Sequence, residues 1–174
     1  MSDEVVLSEY NHTWPMDYLR ELQAIAKLLP LEEIVDIQHI GSTAVPGLAA
    51  KPIIDILVGF RSFAFAETQV HALDALHYEY VESLSVPGGR LFLKMEPRIR
   101  HIHFVEYGTE HWELPIRFRN YIRVHREDRL AYEALKRRNA EQFRHHRAGY
   151  TQAKTAFVLG VLEKAALAEQ PPSE

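Results

Sequence analysis

The sequence predicts an α+β domain: a mixed β-sheet with helices on one side and a helical C-terminal part. Three observations lead there. The periodicities run helix, strand, loop, strand, helix, then three strands in succession and three helices. The segment Ile53-Ile54-Asp55-Ile56-Leu57-Val58 is apolar on both faces except at Asp55, the pattern of a central strand covered on two sides. Beyond Pro115 the residues are helix formers with few breaks. With 174 residues, the chain suits one domain, placed at 1–168 with its helical portion at about 115–168 and a disordered tail at 169–174.

The elements follow in order. Pro15 suits a first helical turn, and Leu19, Leu22, Ala26 and Leu29 recur at spacings of three and four, predicting an amphipathic helix that ends before Pro30 or Leu31. Ile34 to Ile40 reads as a strand that runs into the loop signal Gly41-Ser42-Thr43. A helix over Phe63 to Leu76 carries Ala66, Val70, Leu73 and His77 on one stripe. Strands are expected at Tyr78–Glu82, Arg90–Glu96 and Arg98–Tyr107, the last two as an antiparallel hairpin. The final helices are expected at about 115–125, 128–146 and 150–168, with Gly149 separating the last two.

Composition excludes whole classes of chemistry. There is no cysteine, hence no disulfide, thiol nucleophile, thiolate zinc site or iron–sulfur cluster. Any metal must be held by His, Asp, Glu or backbone oxygen. The N-terminus lacks an export signal, and no apolar stretch reaches the roughly 18 residues that cross a bilayer, so a cytoplasmic location without membrane contact is expected. Ten histidines are many for this length. The net charge of −4 hides an asymmetry: residues 115–150 hold ten Lys and Arg against four acids, +6, which leaves −10 for the rest. That segregation suits a phosphorylated ligand; it is also what a solvated basic helix pair looks like.

The richest segment is His39 to Leu57, HIGSTAVPGLAAKPIIDIL. A Gly-Ser turn leaves one strand, and a lone carboxylate appears on the next. Glycine lets the backbone approach a ligand, and serine offers a hydroxyl and an amide to a phosphate oxygen. No Gly-Lys-Ser/Thr follows, so this is not a Walker loop. His101 and His103, two apart, project from one face of their strand, while Glu106 has the opposite parity.

With these residues in view the chain resembles the GrpB family, bacterial proteins of the nucleotidyltransferase superfamily with the DNA polymerase β-like palm fold. The likeness runs from about Val5 to Leu162. It is carried by His39-Ile40-Gly41-Ser42-Thr43, Lys51-Pro52-Ile53-Ile54-Asp55-Ile56, His101-Ile102-His103, Phe118-Arg119-Asn120-Tyr121, and Tyr150 with Lys154. The resemblance implies that Gly41, Ser42 and Thr43 cradle nucleotide phosphates and that Asp55, separated from Ser42 by twelve residues, is the first metal ligand; Asp55 and Ser42 are the catalytic candidates. It also implies a second carboxylate two residues on, where this chain has Leu57, which cannot bind a metal. A two-metal clamp is thereby put in question.

If the strands are neighbours, His39, Asp55, His101 and His103 form a mixed imidazole and carboxylate site, a donor set that favours zinc, manganese or another transition metal over magnesium. Alternatively, the histidines satisfy Asp55 through hydrogen bonds. A second, cationic set comprises Lys51, Arg90, Arg119, Lys136 and Lys154 together with Tyr150; Arg123 also belongs to it. Lys154 and Lys136 lie within apolar helical stripes, so each either reaches the surface or faces a polar cleft. The bland alternative for each basic residue is a surface ion pair, and Lys51 could pair with Asp55. Trp14, Trp112 and Tyr121 read as packing aromatics.

The expected functions are metal-assisted nucleotidyl transfer, non-catalytic binding of a nucleotide or coenzyme A, and a metal-dependent phosphoesterase. The expected partner is a phosphorylated small molecule such as a nucleotide or coenzyme A, the latter suggested because relatives in the resembling family occur fused to dephospho-coenzyme A kinase. Nucleic acid is disfavoured by the acidic total.

Overall fold

Strand β1, Ile34–Ile40, leads through a short turn at Ser42–Ala44 to β2, Ile54–Phe60, and these two set the frame of the molecule. The computed structural model describes residues 4–95 and 99–169. The remaining strands are β3, Glu79–Tyr80, β4, Gly89–Lys94, and β5, Arg100–Glu106. They form one five-stranded mixed sheet in the order β1-β2-β5-β4-β3. β2 runs antiparallel to β1 and parallel to β5, and β4 is antiparallel to β5, as the hairpin pattern predicts. The outer ends of that hairpin reading, Glu96 and Arg98, fall outside the described residues, as does the tail from 170. Glu169, placed in the tail by the sequence, pairs with Arg117 at 3.2 Å.

Two helices cover one face of the sheet. Helix α1, Trp14–Ile25, and α2, Phe63–Thr68, pack on Ile54, Ile56, Val58 and Phe60 of β2 and on Ile102 and Phe104 of β5. Phe104 lies 4.9 Å from Phe60 and 4.5 Å from Phe92 between ring centres, which fills the middle of this layer. The inward stripe of α1 differs from the expected one. Trp14, Ile25 and Leu29 are buried, while Leu19 is 43% exposed. Helix α2 ends eight residues early, at Thr68. The Thr68 hydroxyl donates to the Phe65 carbonyl, the kind of local bond that competes with a continuing helix. The chain then turns to bury Leu73 and closes at His77, in the left-handed region with φ 61°.

The C-terminal part extends over the other face. Helix α3, Glu110–Val124, begins five residues before Pro115, which sits inside it; the cost is the missing donor to the His111 carbonyl, at an exposed turn that water can reach. Trp112 lies flat on Gly59 of β2. Helices α4, Arg126–Gln142, α5, Arg147–Gln152, and α6, Thr155–Ala168, complete the fold. Gly149 lies inside α5. It is a packing residue more than a breaker, because a side chain there would come within 2.6 Å of His146 and 2.8 Å of Phe143. Val45 and Leu48 of the loop before β2 pack with Ile122, Tyr132 and Val161 of the helices, which fixes that loop against them. Among the described residues, no helix is long and apolar enough to cross a membrane.

Gly59 and Gly160 separate packing from propensity. A Cβ on Gly59 would meet the Trp112 ring at 2.8 Å, so Gly59→Ala is expected to destabilise by about 1–3 kcal/mol through overpacking. A Cβ on Gly160, inside α6, meets nothing within 4 Å, so Gly160→Ala is expected to stabilise by about 0.4–1 kcal/mol. Urea denaturation midpoints of the two variants check both signs.

Candidate functional site

Parity decides which side chains can meet. On β2, Asp55 and Leu57 point to the face that α1 and α2 leave open, and the parallel register puts Asp55 beside His101 and Leu57 beside His103 on β5. The His101 Nδ1 lies 3.1 Å and the His103 Nε2 3.7 Å from one oxygen, Oδ1 of Asp55. The other oxygen lies against Gly41, where any Cβ would collide with the carboxylate. Gly41 is also in the left-handed region, φ 72°, so glycine is needed there on two counts. Burial would raise the Asp55 carboxyl, but the hydrogen bonds and charge of His101 and His103 outweigh it and hold the group well below the usual carboxylate range.

Three donor atoms, one each from Asp55, His101 and His103, lie within 4.8 Å of one another, a spacing that could hold one metal ion. The donor set fits a transition metal: two imidazoles and one carboxylate, with the far side of the group open toward the cavities. His39 is not part of it. Its register partner is Ile56, so its ring points to the α1 face, where it stacks on Tyr18 at 4.9 Å between centres. Burial lowers its pKa to about 4, and its Nε2 is 3.1 Å from the Thr43 hydroxyl. That hydroxyl donates to the Ile53 carbonyl at 2.9 Å, so it must accept from His39, whose proton therefore sits on Nε2. Thr43 is thereby committed as well, and is buried away from any ligand.

The cationic residues divide. Lys51, Lys136 and Lys154 converge with Tyr132 and Tyr150 beside the Asp55 site. The Tyr150 ring has the Lys154 Nζ 4.3 Å and the Lys51 Nζ 5.4 Å from its centre, and the Lys136 Nζ is 4.9 Å from the Tyr132 ring centre. Lys136 donates to the Ala49 carbonyl from a position only 1% exposed. Burial, then repulsion from Lys154, lowers Lys136 to about 7. Burial, then Lys51, lowers Lys154 to about 8 against the pull of Asp55. Burial, then Arg147, lowers Lys51 as well. Tyr132, one turn before Lys136 on α4, hydrogen-bonds Ser42; burial raises its hydroxyl to about 12.

The arginines do other work. Arg119 donates to the His39 carbonyl at 2.7 Å, to Gln38 at 2.8 Å and to Asn120, and Arg123 donates twice to the Ala44 carbonyl, at 2.9 and 2.7 Å. Together they brace the turn at Gly41–Ala44 from behind. Arg90 is on the opposite face, opposite Phe104 in register, where it pairs with Glu67 and lies over Phe63. Glu106, with the parity the sequence indicated, accepts from the Phe63 amide at the start of α2. A cavity of about 780 Å³ opens beside the triad, bordered by Lys51, His101, His146 and Arg147; the last two had no signal in the sequence beyond the basic run.

Comparison with known proteins agrees with this architecture. The model of the GrpB protein family matches residues 4–164. A UPF0157 protein from Streptomyces coelicolor is 36% identical over 96% of this chain and 87% of its own length. The glutamate-rich protein GrpB of Alkalihalophilus pseudofirmus is 31% identical over 92% of this chain and 95% of its own. The crystal structure of the conserved protein GrpB from Enterococcus faecalis superposes with a TM-score of 0.84 at 29% identity, covering 94% of this chain and 98% of that one. Sheet, helices and the match along nearly the whole length lead to one statement: the chain belongs to the GrpB family.

Proposed function

We propose that the protein binds a phosphorylated small molecule, foremost a nucleoside triphosphate, beside one divalent transition metal held by Asp55, His101 and His103, and transfers its nucleotidyl group to an acceptor. The observation that carries this reading is the convergence of that triad with Lys51, Lys136 and Lys154. Ion pairs within 4.0 Å are formed by Lys94 and Lys164, whereas none reaches those three among the described residues. A semi-buried lysine cluster with no carboxylate in ion-pair contact among the described residues is costly in the free protein and becomes favourable when an anion enters. Zinc or manganese in the triad would supply Lewis acidity to a phosphoryl oxygen. The chain's own residues supply the rest: the lysines neutralise phosphate charge, Ser42 and the Gly41 turn orient an oxygen above Asp55, and Tyr132 fixes the Ser42 hydroxyl.

A second reading, non-catalytic binding of a nucleotide or coenzyme A, is favoured by Leu57. Its side chain is buried with Ile40, Val105 and Trp112, so the sheet offers no second carboxylate to bring two cations together. Incubating the protein with ATP labelled on the γ-phosphate and Mn²⁺ separates the two: release of labelled pyrophosphate that Asp55→Ala abolishes supports transfer, and stable binding without release supports the module.

Mn²⁺ or Zn²⁺ at about 100 times its Kd should add about 2.7 kcal/mol of stability to the wild type. Asp55→Ala and His101→Ala should lose that gain, while His39→Gln should retain it, as read by thermal denaturation with and without metal.

Lys136→Met yields the sharpest contrast between stability and binding. The lysine is charged below about 7 in the folded protein and below about 10.5 when unfolded, so its penalty is fully present at low pH and recedes as pH rises between those values. The variant should therefore gain stability relative to wild type, more at pH 6 than at pH 9, and bind ATP about tenfold or more weakly. Calorimetric titrations at pH 7.5 in buffers of different ionisation enthalpy should show proton uptake on ATP binding by the wild type and less by Lys136→Met.

A further inference from the structure

The triad stands between two cavities. His101 borders the larger, of about 780 Å³, and His103 a smaller one of about 370 Å³; Leu84 and Leu91 border both, so the cavities adjoin across the β4 edge of the site. Either volume is in the usual range of small-molecule pockets, about 300–1,000 Å³. Both are walled mainly by apolar residues, and they differ in the charged groups at their borders.

The larger cavity has Lys51, His146 and Arg147 on its walls. The smaller is walled by Leu57, Leu91, Val105 and Leu114, with Glu110 from the first turn of α3 at its border. Arg90 borders it too, but the Arg90 guanidinium is engaged with Glu67 and Phe63 on the opposite face of the sheet. A phosphate in the smaller cavity would meet the Glu110 carboxylate and, with Arg90 engaged, no free lysine or arginine among the bordering residues; His103 and His111 place imidazoles at its border. Leu84 and Val86, at its edge, are 60% and 50% exposed, apolar surface that a bound apolar molecule would cover. The leucine that stands where the family resemblance calls for a second metal-binding carboxylate is part of this wall.

We propose that the smaller cavity binds the second substrate, a small uncharged molecule with an apolar body and one polar end directed at His103. The word substrate rests on the transfer reading above; the preference for a neutral apolar ligand follows from the walls of the cavity and holds without it. Seated there, the ligand's polar end would approach His103 and a phosphate in the larger cavity would approach His101, two rings 6.5 Å apart between centres that share one Asp55 oxygen.

The test uses 2-naphthalenemethanol as a neutral probe, with naphthalene-2-sulfonate as its anionic counterpart, titrated into ¹⁵N-labelled protein. The expected result is saturable amide shifts centred on Val86, Leu91, Val105 and Leu114, with the sulfonate weaker there by about tenfold or more because its charge is unpaired in an apolar wall. Leu114→Glu should weaken the alcohol by a similar factor, and Val86→Trp, at an exposed position where folding is not at stake, should do so by filling the mouth. Shifts centred on Lys51, Leu93 and Thr151, equal binding of the sulfonate, or indifference to both substitutions would overturn the proposal. If the alcohol behaves as expected while the wild type binds neither Mn²⁺ nor ATP, the neutral pocket stands and nucleotidyl transfer falls. If Mn²⁺ and ATP bind but the alcohol does not, the pocket falls and the transfer reading remains.

Discussion

A single carboxylate on an otherwise apolar central strand constrains most of this molecule. Asp55 is flanked along β2 by Ile54 and Ile56, both buried, and an unpaired charge there would cost several kcal/mol. The parallel pairing of β2 with β5 answers that cost by bringing two imidazoles to one carboxylate oxygen. The other oxygen fills the space left by Gly41. Consequently the turn, the register and the open face are not independent features. A shift of one residue between β2 and β5 would send His101 and His103 into the phenylalanine layer and leave Asp55 unpaired.

The helical C-terminal part completes the site at the expense of its own stability. Lys136 is buried beside Tyr132 and donates to the Ala49 carbonyl, and Asn139, one turn further along the same stripe of α4, has a buried amide nitrogen with no partner among the described residues. Groups of this kind are retained at functional sites and disfavoured elsewhere. The basic run from 115 to 150 is therefore heterogeneous. Arg119 and Arg123 hold the Gly41–Ala44 turn, Arg137 and Arg144 pair with Glu9 and Glu4 at the surface, Lys136 is buried against the Ala49 carbonyl, and Arg147 borders the larger cavity.

Much of this was legible in the residues themselves. The bounds of β1, the lone Asp55 on a doubly covered strand, the shared parity of His101 and His103, the opposite parity of Glu106 and the inward lysines all follow from period-two and period-3.6 patterns, which need no tertiary information. The resemblance to GrpB added the palm-like sheet. What was not legible depends on which strand pairs with which, and in what register. His39 is one residue from Ile40, and only the β1–β2 pairing reveals that its ring belongs to the α1 face. Arg90 and Arg119 have the right chemistry for phosphate, but Glu67 and the β1 carbonyls claim them first. The early end of α2 reflects side-chain bonding by Thr68, which hydrophobic spacing does not register.

Leu57 joins the two halves of the site into one physical picture. A carboxylate at that position would lie beside His103 across the β2–β5 pair and be packed against the apolar cluster of Ile40, Val105 and Trp112, where burying charge is costly. The leucine instead continues the apolar layer that Trp112 seals against Gly59. The leucine in place of the carboxylate that the resemblance implies is therefore also part of the apolar wall beside His103, while Lys51 and Arg147 border the cavity on the His101 side. An arrangement with one cation position and two unlike pockets suits two unlike partners, a phosphorylated one and a neutral one, meeting over a single carboxylate.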